Sequence, residues 1–510
     1  MHGLSKSKFT RFCQCDKALW LRINKPDEEQ IDDATKRRFE QGNVVGDLAM
    51  GLFGDYMEAH AENADGSLDL AAMTEQTRQW MAEGVENICE ASFIHEGNYC
   101  AVDILRKTPG GWAIYEVKSV TYPDENDPKK IDKYIPDIAY QKWLLTQCGV
   151  NVTGTYLVCL DSQYVRHGAL DIQGLFITVD MADKIADELL SVPANVERAM
   201  ATMAQTDEPT TDLNMGCHKP YPCGFWDYCS RHLHEPSVFS VYGGKGRGGF
   251  TFEKKLRCYH DGDIDFDSLR DKDLGVIQNL QVACTLDQCE HINREGIKEF
   301  LAELQYPLYF LDFETMQDAI PQYDDAKPYT QLCFQYSLHI KRNAGAPYEH
   351  REYLAPSNGG DPRRELAEQL CRDIPMDVCT LVYNQDFERT RLKEMAEIYP
   401  DLAEHLLNIR DNIKDLLVPF RKGYYYVPAM GGSFSIKKVL PALFPKEPSL
   451  NYHNLDERVQ NGGDAMTIFP KIKDMSAADA ADVRQALLRY CELDTWAMVK
   501  VWEQLNEVAK

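Results

Sequence analysis

An apolar run that carries two acidic residues constrains the fold of this chain more than any other stretch. Residues 306–315 read Tyr-Pro-Leu-Tyr-Phe-Leu-Asp-Phe-Glu-Thr, which predicts a buried β-strand entered through a proline. Alternate residues of a strand point to the same face, so we expect Asp312 and Glu314 side by side. Neighbouring carboxylates at the end of an apolar strand repel each other unless a cation lies between them. Oxygen ligands suit Mg²⁺ or Mn²⁺, and the sequence therefore predicts a divalent metal site here.

Two later stretches carry polar residues that fit the same site. An apolar strand predicted at residues 380–383 leads into Asn-Gln-Asp-Phe-Glu at 384–388, and an amphipathic helix is predicted at 483–503. Tyr490 and Asp494 lie four residues apart on that helix and share one face. The order Asp-x-Glu, Asn-x-x-Phe-acid and Tyr-x-x-x-Asp resembles the DEDD exonucleases of the RNase H-like fold, in their tyrosine subgroup.

This resemblance implies a role for each of the residues. Asp312, Glu314, Glu388 and Asp494 would bind two metal ions ~4 Å apart at the scissile phosphate. Tyr490 would hold the attacking water. The family usually has Asp where this chain has Glu388, and the extra methylene would change the metal spacing.

Residues 423–438, downstream of the strand predicted at residues 380–383, form a segment rich in Tyr and Gly. One interpretation is that its rings stack on bases while Lys437 and Lys438 contact phosphates. The other interpretation is a strand with half-buried tyrosines.

The N-terminal half contains a second arrangement of acidic residues. Residues 99–113 predict a hairpin around Thr-Pro-Gly-Gly, with Asp103 on the first strand. Glu116 and Lys118 are two residues apart and share one face of the second strand. Carboxylates that hold a metal, beside a lysine that stabilises charge, suit phosphodiester cleavage. The alternative is an exposed Glu–Lys pair without chemistry.

Together with Gln141 on a helix predicted at residues 138–148, these residues resemble the PD-(D/E)XK nucleases of the RecB type. The resemblance implies that Asp103 and Glu116 bind Mg²⁺ or Mn²⁺, and that Lys118 and Gln141 complete the catalytic site. Many relatives have a metal-binding His on an early helix. This chain has none there, and Glu40 and Asp47 are the carboxylates that could replace it.

The chain has 16 cysteines and no hydrophobic segment for export at residues 1–8, which favours free thiols or a metal centre over disulfides. Cys217, Cys223 and Cys229 are spaced six residues apart, and a helix predicted at residues 4–21 contains Cys13 and Cys15. Four thiolates suit an iron–sulfur cluster or zinc. Zinc bound by the three later cysteines and His232 is an alternative, and unligated thiols are another.

This layout resembles the iron–sulfur subset of RecB-type nucleases, and Cys15 matches the N-terminal cysteine of that subset better than Cys13. The resemblance implies a [4Fe–4S] cluster on Cys15, Cys217, Cys223 and Cys229. The ligands would close a domain of more than 200 residues, which removes entropy from the unfolded chain.

The predicted fold class is α/β, in three parts. A PD-(D/E)XK domain at residues 1–235 is followed by a linker and helical connector at 236–304 and by an RNase H-like domain at 305–510. The glycine-rich run at residues 243–249, which includes Lys245 and Arg247, is the clearest break in the chain. No apolar run of about 18 residues predicts a membrane helix, and we expect a cytoplasmic protein.

The expected function is metal-dependent hydrolysis of DNA, single-stranded or with frayed ends, by a 3′–5′ exonuclease site and a RecB-type site. The net charge of −25 counts modestly against nucleic acid because phosphate contacts require Lys and Arg. RNA is an alternative substrate. The setting would be repair, recombination or defence, and the partner would be a helicase or a defence-system protein. Two alternatives remain: a nucleic-acid-binding scaffold with one or both sites inactive, and a module whose cluster gates activity by redox state.

Overall fold

The computed structural model describes residues 3–244 and 249–510, so Lys245 and Arg247 of the predicted linker lie outside the described residues. The chain divides into two compact units. Unit 1 runs to His232 and includes Asp318–Thr330, and unit 2 consists of Leu233–Gln317 and Gln331–Lys510. The part of the chain predicted as a linker and connector, residues 236–304, therefore belongs to the same unit as the C-terminal half. Among the helices of the described residues, none has the length and hydrophobicity that crossing a membrane requires.

Unit 1 is built on a mixed sheet with strand order β2-β3-β4-β5-β6-β7, in which β1 pairs with β4. Its strands are β1 Leu4–Ser5, β2 Met57–Glu58, β3 Asn87–His95, β4 Asn98–Thr108, β5 Gly111–Tyr122, β6 Val152–Asp161 and β7 Phe176–Asp180. Its α-helices are α1 Lys6–Gln14, α2 Asp16–Asn24, α3 Asp33–Ala49, α4 Leu70–Glu83, α5 Ile135–Gln147, α6 Ile172–Leu175, α7 Ala186–Ala204 and α8 Trp226–Ser230.

The predicted hairpin is confirmed as β4 and β5, which pair antiparallel. Gly110 turns the chain with a φ of +90°, a conformation that favours glycine. β5 then pairs parallel with β6. The single helix predicted at residues 4–21 is wrong, because Cys15 is extended with a φ of −165° and separates α1 from α2.

Apolar side chains pack against both faces of the unit 1 sheet. One core contains Phe9, Tyr140 and Leu157. The other contains Val45 and also Ile320, from the segment Asp318–Thr330. The sheet of unit 1 is therefore covered on both sides, which is why β5 is buried without a break from Trp112 to Val117.

Unit 2 is built on a five-stranded sheet with order β11-β10-β9-β12-β13, and β8 pairs separately with β14. Its strands are β8 His291–Ile292, β9 Leu308–Met316, β10 Leu332–Lys341, β11 Tyr348–Leu354, β12 Cys379–Val382, β13 Ile413–Asp415 and β14 Tyr425–Tyr426. Its α-helices are α9 Phe252–Asp261, α10 Phe266–Leu269, α11 Val276–Asp287, α12 Arg294–Ala302, α13 Arg363–Asp373, α14 Asp386–Ile398, α15 Ala403–Asp411, α16 Val418–Arg421, α17 Ile436–Leu443, α18 Gly462–Ile468 and α19 Ala477–Val508.

The two faces of β9 have different partners. Leu311 and Phe313 join a buried apolar core with residues of α13 and α14. The opposite face of the sheet lies against α19, since Gln335 of β10 donates to the Leu487 carbonyl at 2.8 Å. The 32-residue helix α19 begins after Ser476, whose hydroxyl accepts from the backbone N–H of Asp479. This packing places the predicted helix at 483–503 directly over the acidic face of β9.

Candidate functional site

The first candidate site, here called the acidic site, is formed by Asp312, Glu314, Glu388, Tyr490 and Asp494 in unit 2. Asp312 and Glu314 project from β9 toward α19, as the alternation of the strand predicts. Tyr490 and Asp494 come from successive turns of α19 and are both buried. The structure thus brings together residues that are up to 182 positions apart in sequence, from Asp312 to Asp494.

Hydrogen bonds fix the side chains that α19 contributes. Tyr452 donates its hydroxyl to Asp494 Oδ1 at 2.5 Å. Lys437 Nζ lies 3.2 Å from the Tyr490 hydroxyl, and it lies 5.0 Å from the ring centroids of both Tyr452 and Tyr490. Lys437 is thus part of the acidic site, whereas Lys438 is exposed and does not line its cavity.

Glu388 reaches the acidic site from the first turn of α14. Its side chain is only 2% exposed, and its Oε2 has no hydrogen-bond partner among the described residues. A buried carboxylate oxygen without a partner is costly unless a proton or a cation satisfies it. Asp386, two residues earlier, is exposed, as the register of the motif predicts.

The acidic site carries more negative than positive charge. Burial, followed by the charge of Asp494, raises the pKa of Asp312 and of Glu314 well above their usual ranges. Burial also raises the pKa of Glu388 to about 8 and raises the pKa of Asp494. Lys437 opposes the shifts of Asp312, Glu314 and Asp494, and Arg391 opposes that of Glu388, but two cations do not balance four carboxylates. Divalent cations with oxygen ligands would supply the missing positive charge, so the residues present fit such a group.

A cavity of about 250 Å³ opens between these side chains. It is lined by Asp312, Phe313, Glu314, Tyr383, Ile436, Lys437, Gly462, Tyr490, Asp494 and Met498. Gly462 allows the close approach of its loop, because a Cβ there would lie 3.3 Å from Glu314 Oε2. Cys491 lies nearby, but burial and the carboxylates raise the pKa of its thiol well above the usual range, so it stays neutral.

The second candidate site, here called the Glu116 site, lies on β4, β5 and α5 of unit 1. Glu116 is fully buried, and Gln141 donates to its Oε2 at 2.7 Å. Lys118 contacts Glu116 and lies 3.0 Å from Asp137 Oδ2. Asp103 accepts from the backbone N–H of Val117 at 2.6 Å. The structure therefore brings together all four residues that the sequence predicted for this site.

The sequence interpretation missed three residues of the Glu116 site. Lys6 of α1 donates to both carboxylate oxygens of Glu116, at 2.9 and 3.0 Å, and lies 3.8 Å from Asp103. Asp137 accepts from Gln141, one helical turn away, at 3.0 Å. Glu90 interrupts the β3–β4 pairing with a φ of +52°.

Burial, followed by the charge of Asp103, raises the pKa of Glu90 to about 7. Glu40 and Asp47, the carboxylates considered from the sequence, are both exposed on α3. Glu90 is therefore, with Asp137, an additional acidic group that the fold places near the predicted ligands.

The third group, here called the thiol cluster, consists of Cys15, Cys217, Cys223 and Cys229 in unit 1. All four line one small cavity next to Phe225. Burial raises the pKa of each thiol, and that of Cys229 to about 11. A bound metal would lower the pKa of these thiols, because it stabilises the thiolates.

Two features of the thiol cluster bear on the group that it could hold. Cys13 is exposed and does not line the cavity, and His232 is exposed with its Nδ1 3.1 Å from the Cys229 carbonyl. Within the described parts of the chain, no three of the four sulfurs lie within 4.8 Å of one another. A single zinc with bonds of ~2.3 Å would hold its ligands closer than that. The four sulfurs are therefore spaced more widely in this structure than the ligands of a single zinc ion.

Comparisons with known proteins match part of the chain. Residues 309–435, which include Asp312, Glu314 and Glu388, match a family described as "Domain of unknown function (DUF2779)". An uncharacterized protein of Ureaplasma parvum, UU173, is 29% identical over 227 residues, which are 40% of this chain and 32% of that protein. The uncharacterized protein MG366 of Mycoplasma genitalium is 25% identical over 218 residues, 39% of this chain and 32% of that protein.

An uncharacterized homolog of MG366 in Mycoplasma pneumoniae is 26% identical over 222 residues, which are 40% of this chain and 33% of that protein. The chain thus spans about a third of the length of the curated relatives that it matches. No solved structure matches the chain.

Proposed function

We propose that this chain is a metal-dependent nuclease that hydrolyses phosphodiester bonds of DNA, with the acidic site as a 3′–5′ exonuclease centre. Unit 2 would then be an RNase H-like domain of the DEDD class. The observation that supports this most is the convergence of four carboxylates and a tyrosine from β9, α14 and α19. Three of those carboxylates line one cavity, and the fourth leaves a buried oxygen unsatisfied.

Each side chain of the acidic site has a role in this proposal. Asp312, Glu314, Glu388 and Asp494 would hold the metal ions, which when bound activate water and neutralise charge on the phosphate. Tyr490 would orient the water through its hydroxyl. Lys437, 3.2 Å from that hydroxyl, would attract the phosphate. Tyr452 would keep the Asp494 carboxylate in one orientation through its hydrogen bond.

We propose that unit 1 is a PD-(D/E)XK domain in which the Glu116 site also binds a divalent metal. Asp103 and Glu116 would be its ligands, and Lys118 would stabilise charge on the phosphate. One observation favours a second function, a nucleic-acid-binding platform. The ammonium groups of Lys6 and Lys118 already compensate Glu116 and Asp137, so a metal must compete with three partly buried ion pairs.

The test is a cleavage assay with Mg²⁺ or Mn²⁺ on end-labelled single and double strands of DNA and RNA. Wild type is compared with Asp312→Ala/Glu314→Ala and with Glu116→Ala/Lys118→Ala. We expect the first double variant to remove stepwise shortening from the 3′ end. If the second removes a different set of products, both sites hydrolyse DNA, and if it only weakens binding, unit 1 is a platform. A wild type that binds DNA but cuts none of these substrates with either metal contradicts the nuclease proposal and leaves the scaffold function.

We further propose that the thiol cluster holds a [4Fe–4S] cluster. Replacement of two ligands, Cys217→Ser/Cys223→Ser, is expected to remove nearly all bound iron and the visible absorbance of anaerobically purified protein. Cys13→Ser is the matched control, because Cys13 lies two residues from Cys15 but outside the cavity. Stoichiometric zinc in a colourless wild-type sample would contradict this prediction. Redox gating requires in addition that reduction of the cluster changes the rate of cleavage.

A further inference from the structure

Two histidines and a glutamate come together at a place that the proposed nuclease does not use. His339 of β10 and His350 of β11 are directly opposite each other in the antiparallel pair, and their ring centroids are 4.6 Å apart. Glu492 of α19 lies across them, with its Oε1 3.9 Å from His350 Nδ1. Each of the three side chains offers one ligand atom, and these three atoms all lie within 4.8 Å of one another.

A chain of hydroxyl groups determines which ring nitrogens carry protons. Thr495 Oγ1 donates to the Glu492 carbonyl at 3.1 Å. A hydroxyl has one proton to donate, so Thr495 Oγ1 must accept from His339 Nδ1, at 2.8 Å, and from Ser337 Oγ, at 2.7 Å. Ser337 has then used its own proton and must accept from His350 Nε2, at 2.9 Å.

This arrangement leaves His339 Nε2 and His350 Nδ1 without protons, next to a carboxylate. All three groups are then acceptors, and they have no donor among the residues described around them. A cation that binds two imidazoles and a carboxylate would satisfy all three at once.

We propose that His339, His350 and Glu492 bind one divalent transition-metal ion of the zinc type. Neutral imidazole nitrogens and a carboxylate suit Zn²⁺, Co²⁺ or Ni²⁺ and do not suit Mg²⁺. In such sites the second nitrogen of each histidine is held by a hydrogen bond, as Thr495 and Ser337 hold these two. Glu492 is 50% exposed, so the ion has a path from solvent.

The ion would connect β10 and β11 to α19, the helix that carries Tyr490 and Asp494. Glu492 lies two residues before Asp494, on a different face of the helix. The ion would therefore fix the helix to β10 and β11 at a place apart from Tyr490 and Asp494. It does not rest on the proposed function, since a metal could bind here whether or not the acidic site hydrolyses DNA.

The test is a titration of chelator-treated full-length protein with Co²⁺, followed by absorbance and by bound-metal analysis. His350→Ala is expected to bind one equivalent of Co²⁺ fewer than wild type. Glu492→Gln keeps the size of a half-exposed side chain and is expected to weaken binding of that equivalent by about 100-fold or more, since even second-sphere changes cost 10–100-fold. Circular dichroism checks that each variant is folded.

The matched control is His60→Ala. His60 is an exposed histidine 3.3 Å from Glu62, but that pair includes no second histidine. Its replacement should leave the Co²⁺ stoichiometry unchanged. Wild-type stoichiometry and affinity in His350→Ala would overturn the site, and so would a Glu492→Gln variant that binds as wild type does.

Discussion

The variant Asp312→Asn is expected to lose activity while gaining stability in the absence of metal. Asp312 is surrounded by Glu314, Glu388 and Asp494, and burial with these charges raises its pKa well above the usual range. Removal of its charge relieves that repulsion, so the free energy of unfolding in chelator near pH 8 should rise by on the order of 2 kcal/mol. Loss of a metal ligand should lower metal-dependent cleavage by more than ~100-fold. Changes to residues that only hydrogen-bond to a metal ligand already lower metal affinity or activity by about 10–100-fold.

Thermal melts in chelator and single-turnover cleavage with Mn²⁺ measure the two effects on the same samples. Asp386→Asn is the matched control, because it makes the same change at an exposed position of α14 close to Glu388. This control variant should change neither the stability in chelator nor the rate of cleavage appreciably. An Asp312→Asn variant that is destabilised in chelator would show that the carboxylate forms favourable contacts in the metal-free fold, contrary to this account of the site.

The second large effect expected is a pH dependence of stability that depends on metal. Glu388 has a pKa of about 8 in the folded chain against an ordinary value of 4.5. The folded state therefore binds more protons than the unfolded state between these two values, and stability in chelator should fall as pH rises from about 4.5 to about 8. The contribution of Glu388 to stability is complete below about pH 4.5 and is lost as the pH rises through about 8.

Divalent metal should reverse this trend, because the ion binds the ionised carboxylates and its affinity rises as their protons leave. The difference between melting temperatures with Mn²⁺ and with chelator should thus be larger at about pH 8 than at about pH 5. Glu388→Gln is expected to reduce the pH dependence in chelator, and Asp386→Asn is expected to keep it. An identical pH dependence in wild type and Glu388→Gln would refute the assignment of this titration to Glu388.

The sequence was sufficient for residues whose positions follow from the period of one element. Asp312 and Glu314 share a face because they alternate on β9, and Tyr490 and Asp494 do so because they are one turn apart on α19. Gln141 and Glu116 were expected from a family resemblance, and the structure places them 2.7 Å apart. In each case local geometry or a motif of short length carried the information.

The sequence was not sufficient for residues that reach a site through the tertiary fold. Lys6 contacts Glu116 although 110 residues separate them, and Tyr452 contacts Asp494 from a short loop with no motif of its own. Glu90 is placed by a local irregularity of β3, which periodicity does not predict. Asp137 is an exception, because its spacing of four residues from Gln141 on one helix could have identified it.

The segment Asp318–Thr330 has a consequence for the way in which the protein can be divided. It follows β9 of unit 2 in sequence, yet it belongs to unit 1, where Ile320 is part of the core and the Tyr329 hydroxyl donates to the Ser119 carbonyl at 2.6 Å. An expression fragment that ends near residue 235 therefore lacks part of its own hydrophobic interior. Neither half is a self-contained cassette that could be cloned, exchanged or fused to another protein by a single cut in the gene.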